Sequence, residues 1–382
     1  MAERPTMERF VNLGVLQREM TRASLDALVA SSPEGSYYLS GFLDDTYLFL
    51  RDRLTIVVAY EGRPRTAIVS GIMESAARSM GWIDDVRTYK EHAVSPVSPL
   101  ADLLEEKGLA KGRIGVEVKW WTVAFYQELL QRLPNATFVP ADDVIQRTQS
   151  VKTVDEIERL RKAAQLTDEA VFEAWKQSHP GDTEKEVADR MTDEWMKRGA
   201  EATSHLTVAS GRNTTITHHK ASSKKLEAGE IVHSDHGAIF DGFWSDLGRL
   251  GVVARPSQHQ RDLYKILREI HRAMIEMARP GIEVREFFAF AKSECNRRGI
   301  DFSFAENSEI GHSMGQRPGH EAPIVHAYNR AVLEPNMVLA LEPMFMTSDE
   351  FYHLEDLVLV TENTAQILSK TGWDTEELFV FE

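Results

Sequence analysis

The chain has 382 residues, with 44 Lys and Arg against 59 Asp and Glu, a formal charge of −15. At roughly 150 residues per domain, that length implies two to three domains rather than one core. The acidic balance excludes a general nucleic-acid binder, which needs basic patches to displace counterions from phosphates, and argues against docking on an anionic membrane.

A hydrophobic share of 42 % with seven Trp and 17 Phe is that of a globular chain with a large core. The acidic excess fits plain solubility, and it also fits carboxylates gathered around metal; composition does not choose between the two. The single cysteine, Cys295, rules out an intramolecular disulfide and zinc sites built on several thiolates. It falls in a helical pattern over 287–298, where a buried, inert thiol is expected. Residues 1–5, Met-Ala-Glu-Arg-Pro, lack the apolar core of a signal peptide. No window reaches the ~18–20 uninterrupted apolar residues of a membrane span. The expectation is a soluble, cytoplasmic protein.

In chain order, strand-like runs occupy 26–30, 54–60, 66–70, 113–118 and 137–140, with helical patterns at 99–108 and 122–133 between them. Alternation of this kind predicts an α/β domain over 1–150. A long helical pattern opens at Thr153-Val-Asp-Glu156, a capping-box sequence, and continues through Ile157, Leu160, Ala164 and Val171. It opens a second domain, 151–382. Gly181-Asp-Thr183 starts a further helix, and two more over 257–278 and 283–298 are divided by Pro280-Gly281. Strand patterns over 204–210, 231–253 and 337–368 make this domain mixed α+β.

Its strands carry the polar residues that matter. Residues 231–253 read as a hairpin about Phe240-Asp241-Gly242, with Asp235 on one arm and Asp246 on the other. A buried, unpaired carboxylate costs several kcal/mol, so each needs a cation or several donors. A hairpin brings facing residues to ~5 Å, where a divalent metal relieves the repulsion of two carboxylates. Two aspartates alone fit turn caps or a solvated face equally well. Further along stand His312 in Gly311-His-Ser-Met-Gly315, His320 in Gly319-His-Glu-Ala-Pro323, Glu342 in Leu339-Ala-Leu-Glu-Pro343, and Glu355 before an apolar strand. Each alone is ordinarily structural. Together, two Asp, one His and two Glu form a hard-leaning oxygen and nitrogen set suited to Mn, Fe, Co or Zn. Two ions ~3.5 Å apart need bridging carboxylates, which this set can supply.

The motifs Asp235-His-Gly237-Ala, Asp246, Gly311-His312, His320-Glu-Ala-Pro323, Glu342-Pro343 and Glu355-Asp356 stand in the order and spacing of a known family. On them the chain resembles the metallopeptidases related to methionine aminopeptidase, in the Xaa-Pro dipeptidase (prolidase), aminopeptidase P and creatinase branch. Ser32-Pro-Glu-Gly-Ser-Tyr-Tyr-Leu-Ser-Gly41-Phe42 is similar to that branch's N-terminal signature, and 152–164 to its opening helix. The resemblance implies an α+β chain: a creatinase-type α/β N-terminal domain, then a "pita-bread" catalytic domain of two pseudo-symmetric halves. It implies two divalent ions, manganese first, with cobalt, zinc or iron as alternatives. Asp235 would chelate one ion, Asp246 and Glu355 would bridge, and His312 and Glu342 would complete the other. His218, about eight residues before the Leu226-Glu-Ala-Gly229 turn, and His320 would bind the scissile group and stabilise the tetrahedral intermediate. His219 is off by one in spacing. Glu342 would shuttle the proton. The implied reaction is cleavage of the bond before proline in short peptides, through a metal-bridging hydroxide. The implied partners are a small peptide or small-molecule substrate and a second copy of the chain, a homodimer whose first domain helps close the neighbour's site, with no nucleic acid or membrane.

Four departures bear on substrate. Ser313 stands where the family has the second Gly of Gly-His-Gly, and the gap to the second histidine, 313–319, is one residue longer. His353 replaces an arginine common two residues before the final Glu, and Gly248 replaces a threonine, although Arg249 is kept. Loss of that arginine weakens the case for binding a peptide carboxylate, because Arg is its natural bidentate partner. The alternatives are a metal-dependent non-peptidase hydrolase or lyase of a small C–N or sulfonium compound on the same scaffold, and a pseudoenzyme or binding module.

Overall fold

The computed structural model describes residues 10–316, 320–369 and 376–382. Residues 1–5 and Arg317, Pro318 and Gly319 of the lengthened loop, on which two sequence expectations fell, lie outside the described residues. Contacts divide the chain into two compact units, 1–149 and 150–382. Among the described residues no helix is long and apolar enough to cross a membrane.

The first unit is built on a six-stranded mixed sheet. Its strands are β1 (Ala27–Ala30), β2 (Ile56–Tyr60), β3 (Arg63–Ser70), β4 (Asp85–Tyr89), β5 (Arg113–Val116) and β6 (Thr137–Pro140), ordered β4-β3-β2-β1-β5-β6. Helices α1 (Leu13–Arg22), α2 (Pro33–Ser40), α3 (Glu74–Met80), α4 (Val97–Glu106), α5 (Val123–Arg132) and α6 (Asp142–Ser150) complete it. Central strands read as unbroken apolar runs because both faces are covered. Leu28, Ala30, Val57 and Ala59 enter one core, while Ala27, Val29, Ile56 and Val58 enter the other. β4 carried no clear sequence signal. It is an edge strand, Asp-Val-Arg-Thr-Tyr, with only Val86 and Tyr89 buried.

The second unit begins with α7 (Val154–Lys176), whose Thr153–Glu156 capping box forms as the sequence predicts, and α8 (Glu184–Lys197), capped likewise by Thr183 and Glu186. These pack on a sheet of β7 (Ala202–Ser210), β8 (Ile231–Phe240), β9 (Phe243–Trp244) and β10 (Leu247–Val253). A second pair, α9 (Gln258–Met277) and α10 (Arg285–Arg297), packs on β11 (Gly311–Met314), β12 (His320–Glu321), β13 (Val338–Leu341), β16 (Asp356–Val360) and β17 (Ala365–Ile367). The hairpin β14 (Met344–Met346) and β15 (Phe351–His353) lies between strands of the second sheet in sequence, and β18 (Phe379–Phe381) closes the first sheet beside β10. Each half is thus a helix pair on a sheet, the pita-bread arrangement. Paired backbone bonds between Gly248 and Glu355, 3.3 and 3.2 Å, tie the two sheets together.

Candidate metal centre

The predicted turn after β8 forms with positive φ at both Asp241 (51°) and Gly242 (78°), as a tight two-residue hairpin requires. The two aspartates are not cross-strand partners, however: the ladder pairs Asp235 with Gly248. Asp246 sits in the break between β9 and β10. Ser245 beside it leaves the ladder, and its hydroxyl meets Thr167 Oγ1 at 2.7 Å and the Ala238 amide and carbonyl at 3.0 Å. That anchoring turns Asp246 towards Asp235 without cross-strand pairing. Alternation along β8 does the rest. Val232 and Ala238 face the helices, while His233 and Asp235 line a cavity of about 470 Å³.

Into this cavity the fold brings Asp235, Asp246, His312, Glu342 and Glu355 together with His218 and His320. Three trios, His205–Asp235–Asp246, Asp246–His312–His320 and His312–Glu342–Glu355, each hold ligand atoms within 4.8 Å of one another. His312 Nδ1–H donates to the Ser313 carbonyl at 3.0 Å, which leaves the Nε2 lone pair facing inward. That lone pair stands 3.7 Å from Asp246 Oδ2 and 3.9 Å from both Glu342 Oε1 and Glu355 Oε1, too far for hydrogen bonds. Glu355 Oε1 and Asp246 Oδ1 are buried and, among the described residues, have no hydrogen-bond partner. Acceptors gathered this way repel one another unless a cation lies among them, so the residues fit the divalent ions that the chemistry of the donor set calls for.

The electrostatics agree. Burial and the neighbouring Asp246, Glu342 and Asp235 charges hold the Glu355 carboxyl well above the usual range. Burial also works to raise Asp246, but the adjacent His205, His320 and His312 outweigh it and hold that carboxyl low. His320 stacks on His312 with ring centroids 3.6 Å apart, and its Nε2 lies 3.5 Å from Asp246 Oδ2, which raises its pKa.

His218 and His219 part company. His218, at a φ of 51°, lines the cavity, whereas His219 Nε2 turns away to Glu184 Oε2 at 3.0 Å. Glu184 also accepts from Ser210, Asn213 and Ser222, so it pins the segment that presents His218.

Three of the sequence departures acquire a structural account. Ser313 Oγ donates to the Val338 carbonyl at 3.0 Å, inside the sheet and away from the cavity. His353 and Gly248 are neighbours: a Cβ on Gly248 would lie 2.6 Å from His353 Cε1. The small residue therefore admits the imidazole. His353 Nδ1 meets His233 Nε2 at 3.0 Å, and its own Nε2 faces Glu342 Oε2 at 3.3 Å. Burial pushes His233 down to about 3; burial also works to lower His353, but Glu342, Asp235 and Asp246 outweigh it and raise that imidazole. Arg249 is a buried brace, donating to Asp168 Oδ1 at 2.8 Å, the Glu355 carbonyl at 2.6 Å and Asp356 Oδ1 at 2.9 Å.

Sequence reasoning missed His205 and Lys220, which also line the cavity. His205 lies in a predicted strand, but only the pairing of β7 with β8 reveals that it reaches the aspartates. Lys220 was legible only as a neighbour of His218.

Comparison with known proteins agrees with this fold. Residues 158–362 match the model of metallopeptidase family M24, and 13–151 that of the creatinase/prolidase N-terminal domain. The chain is 34 % identical over 236 residues to the Xaa-Pro dipeptidase of Pyrococcus furiosus, 61 % of this chain and 67 % of that one. It is 29 % identical over 358 residues to the Xaa-Pro dipeptidase of Pyrococcus horikoshii, covering 92 % of this chain and 95 % of its relative. Among solved structures, the dipeptidase PepE of Mycobacterium ulcerans superposes with a TM-score of 0.84 at 26 % identity, over 97 % of both chains. The chain belongs to metallopeptidase family M24 and is a hydrolase of that family, with a creatinase/prolidase N-terminal domain preceding its pita-bread domain.

Proposed function

We propose that the chain is a dinuclear-metal Xaa-Pro dipeptidase. The observation that carries this reading is the row of trios. Successive trios share Asp246 or His312, so the donors extend in a line longer than one coordination sphere. Asp235, Asp246, His312, Glu342 and Glu355 would hold two divalent ions, with manganese first and cobalt, zinc or iron as alternatives. Bound there, the ions would supply Lewis acidity, lowering the pKa of water and polarising a carbonyl.

The protein's own groups supply positioning and proton transfer. His218 and His320 face the cavity from opposite halves of the domain, where each can donate a hydrogen bond to an oxyanion on the scissile carbon. Glu342 can take a proton on Oε2 and return it to the leaving amine, with His353 Nε2 at 3.3 Å steadying the carboxylate. Thr214, Ile216, Phe304, Met344, Met346 and Phe351 give the cavity an apolar wall suited to a proline ring. Among the described lining residues Lys220 is the one Lys or Arg, and it takes the place of the missing arginine as partner for a peptide's carboxylate. A soluble enzyme working as a homodimer on small peptides is part of the same reading.

His353 in place of arginine favours one rival, a metal-dependent hydrolase or lyase of a small non-peptide on this scaffold. A panel of Xaa-Pro dipeptides, longer Xaa-Pro peptides, creatine, N-substituted small acids and sulfonium compounds, run with Mn, Co, Zn and Fe separately, decides between them. Hydrolysis of the Xaa-Pro dipeptides is expected, lost on chelation and restored by metal. Turnover of the non-peptides alone would overturn the proposal.

A further inference from the structure

His205 lies outside the ligand set that the sequence motifs imply, yet it sits among the aspartates. A register shift between Thr203 and His205 in the β7–β8 ladder places it opposite Gly237. Such bulges re-aim a side chain. Gly237 is what allows this: a Cβ there would collide with the Ser245 carbonyl and Ser204 Oγ and stand 3.0 Å from His205 Cε1. The imidazole Nε2 then lies 3.0 Å from Asp235 Oδ1 and 2.8 Å from Asp246 Oδ1.

Two donors about 2.1 Å from one ion, at right angles to each other, are about 3 Å apart, which is the spacing seen. A single N–H between two carboxylates leaves each oxygen only half satisfied, whereas a divalent ion would bind both. Among the described residues, Asp246 Oδ1 has no hydrogen-bond partner despite its closeness to the ring. The other ring nitrogen is held by Ser204. Ser204 Oγ lies 3.1 Å from His205 Nδ1 and 3.5 Å from the Ser245 carbonyl, so it holds the ring with Nε2 towards the aspartates. Where Nδ1 carries the proton, Nε2 presents a lone pair between two carboxylate oxygens, the His205–Asp235–Asp246 trio that a divalent cation would fill.

We propose that His205 is an additional metal ligand on the Asp235 side of the centre, giving each of the two ions one imidazole, His205 on one and His312 on the other. The inference rests on the dinuclear reading above. A second nitrogen donor moves the site away from an all-oxygen environment and so favours cobalt, zinc or iron relative to manganese.

The test is titration of chelator-stripped protein with cobalt(II), followed by calorimetry and visible absorption. The unmutated chain is expected to bind two equivalents. His205→Ala and His205→Gln are expected to bind one of the two more than about tenfold more weakly, since even groups outside the ligand shell are worth ~10–100-fold. The cobalt-to-manganese affinity ratio should fall and the cobalt absorption should change. X-ray absorption of the cobalt-loaded unmutated protein provides a second measurement that needs no variant, and two imidazoles per pair of ions are expected. Unchanged affinities and spectra in both variants, or a single imidazole, would overturn the role of His205 while leaving the dinuclear reading standing. An unmutated protein that takes up no cobalt would overturn both.

Discussion

Glu355 and Asp246 are both fully buried carboxyl groups, yet their environments push them in opposite directions. Glu355 faces mainly other carboxylates, while Asp246 is ringed by the imidazoles of His205, His312 and His320. Pairs of titratable groups driven apart like this mark a site rather than a solvated surface. Asp246, like His312, belongs to two of the three trios, so its loss should reach beyond a single cluster. Asp246→Asn is expected to lower turnover by orders of magnitude and to remove bound metal, read by assay and by elemental analysis of the same preparation. A variant with unmutated rate and metal content would show that Asp246 bridges nothing. Cys295, by contrast, is a core residue. It is buried among Phe288, Ala291 and Phe302, and burial pushes its thiol up to about 11, in keeping with the inert role expected from its helical setting. At this scale the sequence was most informative where motif spacing spoke, as at Asp235, Asp246, His312, Glu342 and Glu355. It was silent on His205, whose partners lie about thirty and forty residues further along and meet it only through strand pairing.

Elements explain how those residues converge. Helices with capping boxes and long apolar stripes, α7, α8 and α9, were readable because their signals are local. The break between β9 and β10 was not, because it depends on Ser245 finding Thr167 and Ala238. The short hairpin β14–β15 was read as part of one long strand region, since three-residue strands give no period to count. The N-terminus of α8 has a role beyond its own helix. Glu184 there gathers the Ser210 amide, Asn213, His219 and Ser222, and thereby holds the turn that presents His218. Glu184→Ala would strand several of those donors at about 1–3 kcal/mol each. The expected result is a fall in Tm of roughly 5–15 °C. KM should rise while metal content is retained, because Glu184 belongs to none of the metal trios. An unchanged Tm and KM would mean that the segment is held by other contacts.

At the scale of the whole molecule, the formal charge of −15 looks different once the site is known. Four of the acids, Asp235, Asp246, Glu342 and Glu355, line one cavity, where two divalent ions would neutralise them. Other acids, among them Glu117, Asp168 and Glu184, are buried and hydrogen-bonded, so only part of the remaining excess lies on the surface. Each unit has its own apolar cores, and the cavity, with every described residue that lines it, belongs to 150–382. The alternation of strands and helices in the first unit and the helix pairs of the second could be read from patterning. The meeting of the two sheets at Gly248 and Glu355 could not, since it joins positions more than a hundred residues apart through two backbone bonds. The central claim is that this row of donors holds two metal ions. Elemental analysis of protein purified without chelator and equilibrated with manganese or cobalt tests it most directly. Two ions per chain are predicted, and a chain that retains none, or only one at saturation, would contradict the account.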